Sequence, residues 1–91
     1  MKTVQSIETI RIRVSDSELL EGKWLNFQLL SKKLGDIETE RKMEYKSLRN
    51  RFYNSRACGK YTMMNIAGIP CVDVDKPMKG KASLMLEFER V

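Results

Sequence analysis

Apolar residues repeat with period two near both ends of the chain, whereas its middle follows helical spacing. Ile10, Ile12 and Val14 alternate with arginines within residues 7–14, which predicts a half-buried strand. Residues 82–91 alternate in the same way and predict a second strand. A chain that combines such strands with helices is expected to form an α+β fold around one core.

Residues 26–34 are predicted to form the first helix. Leu30 and Leu34 fall on one helical face, and Asn26 is a favourable N-cap residue. Gly35 suits the left-handed position that follows a helix end. We therefore expect this helix to stop at the glycine.

A second helix is predicted at residues 43–56, after a linker or short turn at 36–42. Tyr45, Leu48 and Phe52 would lie on one face of that helix and point toward the core. Its other faces are polar, so the helix is expected to be amphipathic and to present a charged side to solvent.

A small sheet is predicted in the last third of the chain. Residues 61–66 and 69–74 have strand character around a turn at residues 67–68, and a loop at 75–81 leads to the final strand. The expected order is β-α-α-β-β(-β), in a single domain spanning residues 1–91. The large apolar residues assigned to its core are Trp24, Phe27, Leu84, Leu86 and Phe88.

The first helix carries a family resemblance. The sequence LSKKLG at residues 30–35, with GKWLN at 22–26 before it, resembles the first helix of winged helix-turn-helix DNA-binding proteins. The resemblance implies a small winged helix-turn-helix domain. Its second helix would lie in the major groove of DNA, and a hairpin loop, the wing, would stand beside it.

The excess positive charge is concentrated in one window. Residues 41–60 contain seven Lys and Arg against the single acid Glu44, a balance of +6, while the whole chain carries +5. Such a concentration is typical of a surface that binds a polyanion, although a solvated helix face is the alternative interpretation.

The second helix supplies two kinds of predicted DNA contact. Side chains that would project outward could reach base edges, and flanking cations could reach phosphates. The outward set is Lys46, Ser47, Asn50 and Asn54, with Tyr53 near its edge, and the cations are Arg49, Arg51, Arg56 and Lys60.

A second basic cluster lies in the predicted loop at residues 75–81. Lys79 and Lys81, together with Lys76, surround a proline and a glycine. The loop is expected either to act as a wing on the DNA backbone or to be a solvated loop, and the residues leave both interpretations open.

Catalysis and metal binding find little support. The chain has no histidine, which is the commonest general base, and its two cysteines, Cys58 and Cys71, lack metal-ligand spacing. The acids, Glu38 among them, fall in stretches expected to be solvated. We predict no enzyme activity, no cofactor and no metal.

The segments that direct a protein to a membrane are not predicted either. No apolar run approaches the length of a membrane span, and residues 1–6 lack the apolar core of a signal peptide. A cytoplasmic location is expected. Tyr61 is the one aromatic residue predicted to be exposed on a strand, so stacking on single-stranded RNA is a weak alternative.

These features together predict a sequence-specific protein that binds double-stranded DNA. A chain this short suggests a transcriptional regulator or architectural factor of the kind found in phages and mobile elements. The alternative is a protein-interaction module or inhibitor that docks its basic helix on an acidic protein. The sequence leaves open whether the protein is a homodimer.

Overall fold

The computed structural model describes residues 7–53 and 64–91, and within them the chain forms an α+β fold of two small sheets and two helices. A one-turn 3-10 helix follows the first strand at Asp16–Glu18. In chain order the other elements are β1 (Glu8–Val14), β2 (Leu19–Leu20), β3 (Trp24–Asn26), α1 (Phe27–Glu40), α2 (Ser47–Tyr53), β4 (Met64–Ile66), β5 (Ile69–Asp73), β6 (Met78–Lys79) and β7 (Leu84–Arg90).

The first sheet joins the two strands that the alternating pattern predicts. β1 runs parallel to β7, and β6 pairs antiparallel with the other side of β7. Ile10 stands opposite Leu86, and both are buried, while Arg11 and Arg13 on the intervening positions are exposed. Both strand predictions are therefore confirmed, because each strand places its apolar residues on one face.

The second sheet is antiparallel, with strand order β2-β3-β5-β4. The predicted turn at residues 67–68 is confirmed: Ala67 and Gly68 have φ of 51° and 81°, the left-handed pair that a tight hairpin requires. The sequence did not predict β2 and β3, which meet across a turn at Gly22 (φ 78°). Of the strand expected at residues 61–66, the last three residues form β4, and the others lie outside the described residues.

The first helix is longer than predicted. Asn26 is its N-cap, since the side-chain oxygen accepts the N–H of Gln28 at 2.8 Å. The expected stop at Gly35 is wrong, because α1 continues to Glu40. The glycine serves packing instead: a Cβ added there would lie 3.5 Å from Cζ of Arg49, so the guanidinium lies directly against the helix.

The connection between the helices lies later than predicted. The expected turn at residues 36–42 falls mostly inside α1, and the chain turns at 41–46 instead. Lys42 and Lys46 have left-handed φ values of 55° and 61°, which a continuous α-helix cannot contain. The second helix therefore starts at Ser47 rather than at residue 43.

This shift changes which residues of the second helix are buried. Leu48 and Phe52 are fully buried, as their spacing predicts. Tyr45 is 79% exposed, so the expectation that it shares their buried face is wrong. Tyr45 precedes the helix, so the helical spacing that would place it on the same face as Leu48 and Phe52 does not extend to it.

One apolar core joins the helices to both sheets. α1 packs against α2, β3 and β5, and Leu84 and Leu86 of β7 are buried in the same cluster, as predicted. Phe27 and Phe88 pack on it while partly exposed. Trp24, which the sequence assigns to the core, is half-buried outside that cluster with the Lys23 ammonium 5.0 Å from its ring centroid.

Candidate nucleic-acid interface

The structure brings the two basic segments of the sequence together. The Lys81 N–H donates to the carbonyl of Arg51 at 3.3 Å, which joins the 75–81 segment to α2. Gly80 lies against the buried ring of Phe52, and a Cβ added to it would come within 2.9 Å of Cε1. Six residues of α2, the residue before it and the 75–81 segment form what we call the α2–loop surface. They are the five basic residues that have no ion pair to Glu38 and one amide: Lys46, Asn50, Arg51, Lys76, Lys79 and Lys81.

The 75–81 segment is held more firmly than a free hairpin tip. Met78 is buried and, as part of β6, stands opposite Leu86 of β7. The Gly80 N–H donates to the carbonyl of Leu84 at 2.8 Å. The Lys79 and Lys81 side chains are nevertheless exposed, so an ordered backbone carries both cations to the surface.

The one acid of this segment is neutralised from outside it. Asp75 accepts from Nη2 of Arg90 at 2.8 Å, and this contact raises the pKa of the Arg90 guanidinium. Lys76 and Lys81 make no ion pair with the part of the chain that the structure describes. Lys76 and Lys81 are thus exposed without a paired carboxylate among these residues.

Arg49, predicted to contact phosphate, has an internal partner. Its Nε lies 2.8 Å from Oε1 of Glu38, and the Glu38 side chain is only 4% exposed. The other carboxylate oxygen accepts the Leu48 N–H at 2.7 Å and the Arg49 N–H at 3.3 Å. Glu38 therefore caps the first turn of α2 from a neighbouring helix, and Arg49 helps to fix that arrangement.

Glu38 is buried, so the expectation that it would be a solvated acid is wrong. A usable signal was present, because Leu30, Leu34 and Glu38 follow one another at intervals of four along the buried face of α1. An acid at the next position of an apolar stripe has to be paired when it is buried. The unpaired N–H groups at the start of α2 and the Arg49 guanidinium supply that pairing.

The other predicted contact residues differ in exposure. Lys46 and Asn50 are exposed, whereas Ser47 and Arg51 are half-buried. Tyr53 is half-buried too and packs on Phe27, with the ring centroids 4.8 Å apart. The predicted contacts that lie outside the described residues are Asn54, Arg56 and Lys60.

The described residues include no cluster that could bind a metal, and their one thiol is buried. Residues 7–53 and 64–91 contain no group of three His, Cys, Asp or Glu side chains placed to hold a metal. Cys71 is a free, fully buried thiol whose pKa is raised by desolvation. Cys58 lies outside the described residues.

Within the described stretches, neither helix has the length and apolar character needed to cross a membrane. No protein-family model, curated protein or solved structure matches this chain. Its surface charges and their geometry are the features from which a function can be inferred.

Proposed function

We propose that this protein binds double-stranded DNA through the α2–loop surface. The observation that carries the proposal is the contact between Lys81 and Arg51, which unites two basic segments that lie thirty residues apart in the sequence. Because the backbones of the two segments are in contact, we infer that a polyanion bound to one of them would lie close to the other.

The charge of this surface supports the proposal. Lys46, Arg51 and Lys81 make no ion pair with residues 7–53 or 64–91. Unpaired cations of this kind release counterions from DNA when they meet phosphates, and that release supplies most of the non-specific affinity. Asp75 is paired with Arg90, which reduces its repulsion of the phosphates.

The proposed geometry is that of a winged helix. α2 would enter the major groove with the exposed Asn50 toward a base edge, where asparagine pairs with adenine. Lys79 and Lys81 would reach the DNA backbone as a wing. Because Glu38 and Arg49 fix the start of α2 before DNA arrives, little ordering of the helix is left to the binding step.

This geometry suits a small regulator or architectural factor rather than an enzyme. Sequence specificity would come from the few side chains that α2 presents to base edges, and affinity from the cations around them. In this proposal the protein binds a DNA site and does not catalyse a reaction on it.

A titration of a fluorescent duplex at several salt concentrations tests the proposal. About five neutralised phosphates would give a slope near −4 to −5 for log affinity against log salt. Polyglutamate of matched charge should displace the duplex poorly, since it lacks the spacing of the grooves. A flat salt dependence, or displacement as efficient as by unlabelled DNA, would reject DNA as the partner in favour of an acidic protein.

A further inference from the structure

A largely exposed aromatic side chain, Tyr45, lies two residues before the start of α2. Tyr45 is 79% exposed, and no other large apolar side chain among the described residues is exposed to this extent. Its hydroxyl makes no hydrogen bond with the described residues. Tyrosine normally buries its ring and pairs its hydroxyl, so this position lacks the usual reasons for an aromatic residue.

Two cations flank the Tyr45 ring. The Lys46 ammonium and the Arg49 guanidinium each lie 5.2 Å from the ring centroid. Arg49 is held by the buried Glu38, so one of the cations is fixed in place, whereas Lys46 has no ion pair in the described part of the chain. Most of the ring stays accessible in spite of both contacts.

An exposed ring beside cations has the chemistry of a stacking site for single-stranded nucleic acid. A base stacks on the aromatic face, and the neighbouring phosphates meet the positive charges. A base inside a duplex is already stacked on both sides, so only an unpaired or terminal base can use such a ring. An acidic peptide would use the cations but would have no need of the ring.

We propose that Tyr45 stacks on an unpaired nucleobase next to the duplex bound by the α2–loop surface. This inference rests on the proposed function and narrows its substrate to DNA with a junction between paired and unpaired strands. Lys46 would then contact a phosphate of the unpaired strand, while Arg49 and Glu38 keep the ring at the start of the helix.

The test compares a blunt duplex with the same duplex carrying a three-nucleotide single-stranded tail, in which one tail base is 2-aminopurine. The protein should bind the tailed duplex about tenfold more tightly and quench the 2-aminopurine fluorescence. Tyr45→Ala should remove both effects while leaving affinity for the blunt duplex within about twofold. Tyr45→Phe should keep both, because it retains the ring.

The outcomes separate this inference from the proposed function. Equal affinity for tailed and blunt duplexes, or a tail preference that persists in Tyr45→Ala, overturns the stacking site and leaves duplex binding in place. Failure to bind either DNA overturns both. Because Tyr45 is so exposed, the thermal midpoint of each variant should match that of the parent, which excludes unfolding as the cause of any loss.

Discussion

The buried carboxylate of Glu38 lies 2.8 Å from Nε of Arg49, and the same carboxylate accepts two backbone N–H groups at the start of α2. A single acid on α1 thereby fixes the position of the next helix and engages its first cation. α2 is short in the described chain, and a short helix depends on such tertiary contacts rather than on its own propensity.

Glu38→Gln should destabilise the fold. The amide cannot accept from Arg49 and both N–H groups as the carboxylate does, and hydrogen bonds to a charged group contribute about 1.5–3 kcal/mol. Chemical denaturation should therefore show a loss of that size in the free energy of unfolding. The matched control is Glu40→Gln on the exposed side of α1, which should change it by less than about 0.5 kcal/mol. Equal effects of the two changes would contradict the claim that Glu38 stabilises the start of α2.

Gly80→Ala should also be destabilising, because the new Cβ would lie 2.9 Å from a ring carbon of the buried Phe52. Overpacking of this kind costs about 1–3 kcal/mol. It should also push the 75–81 segment away from α2 and weaken DNA binding. A variant that is as stable as the parent would show that the segment is not packed on Phe52.

Gly35→Ala should have the opposite effect and stabilise the protein. Its Cβ would meet the Arg49 side chain at 3.5 Å, an ordinary contact, and the position is inside a helix. Alanine is favoured over glycine there by about 0.5–1 kcal/mol. Thermal unfolding should show a gain in stability. A loss would indicate that the helix ends at residue 35 after all.

Stability should fall in acid partly through Glu18. The Ser15 N–H, donated to its carboxylate at 2.9 Å, and the Lys33 ammonium lower the pKa of Glu18. A lowered pKa in the folded state stabilises the protein above the ordinary pKa of about 4.3, and this contribution is lost as the pH falls through the folded value. Glu18→Gln should be less stable than the parent at pH 7, and the difference should shrink below about pH 4. A difference independent of pH would contradict this assignment.

Cys71 should react slowly with thiol reagents in the native protein. The side chain is fully buried, and desolvation raises the pKa of the thiol, so little thiolate is present at neutral pH. In a Cys58→Ser variant, where Cys71 is the remaining thiol, modification should be at least about a hundredfold slower in buffer than in denaturant. Similar rates in both solutions would show that β5 is open to solvent.

Local patterns in the sequence predict the elements whose signals are themselves local. The alternation around Ile10 and Leu86 identifies both strands of the parallel pair, and Asn26 marks the start of α1. The pairing of β1 with β7 joins opposite ends of the described chain, and no local pattern reports such a contact. The same holds for Lys81 and Arg51, whose contact forms the candidate interface.

The errors arise where tertiary contacts override a local signal. Glycine commonly follows the last residue of a helix, but Gly35 lies inside α1. Because it has no side chain, the Arg49 guanidinium can pack directly against the helix there. Tyr45 has the spacing of a core residue, but the left-handed conformation of Lys46 separates it from the helix. Both depend on how two helices meet, which the sequence of either helix alone does not specify.

The measurement that tests the central claim most directly is the salt dependence of DNA binding by Lys79→Ala/Lys81→Ala. Its control, Arg13→Ala/Lys32→Ala, removes the same charge from exposed cations of β1 and α1. If the α2–loop surface meets the phosphates, the first variant should lower the magnitude of the salt slope by about two and the control should leave it unchanged. Equal slopes for the two variants would show that only net charge attracts DNA, and would contradict the α2–loop surface as the binding site.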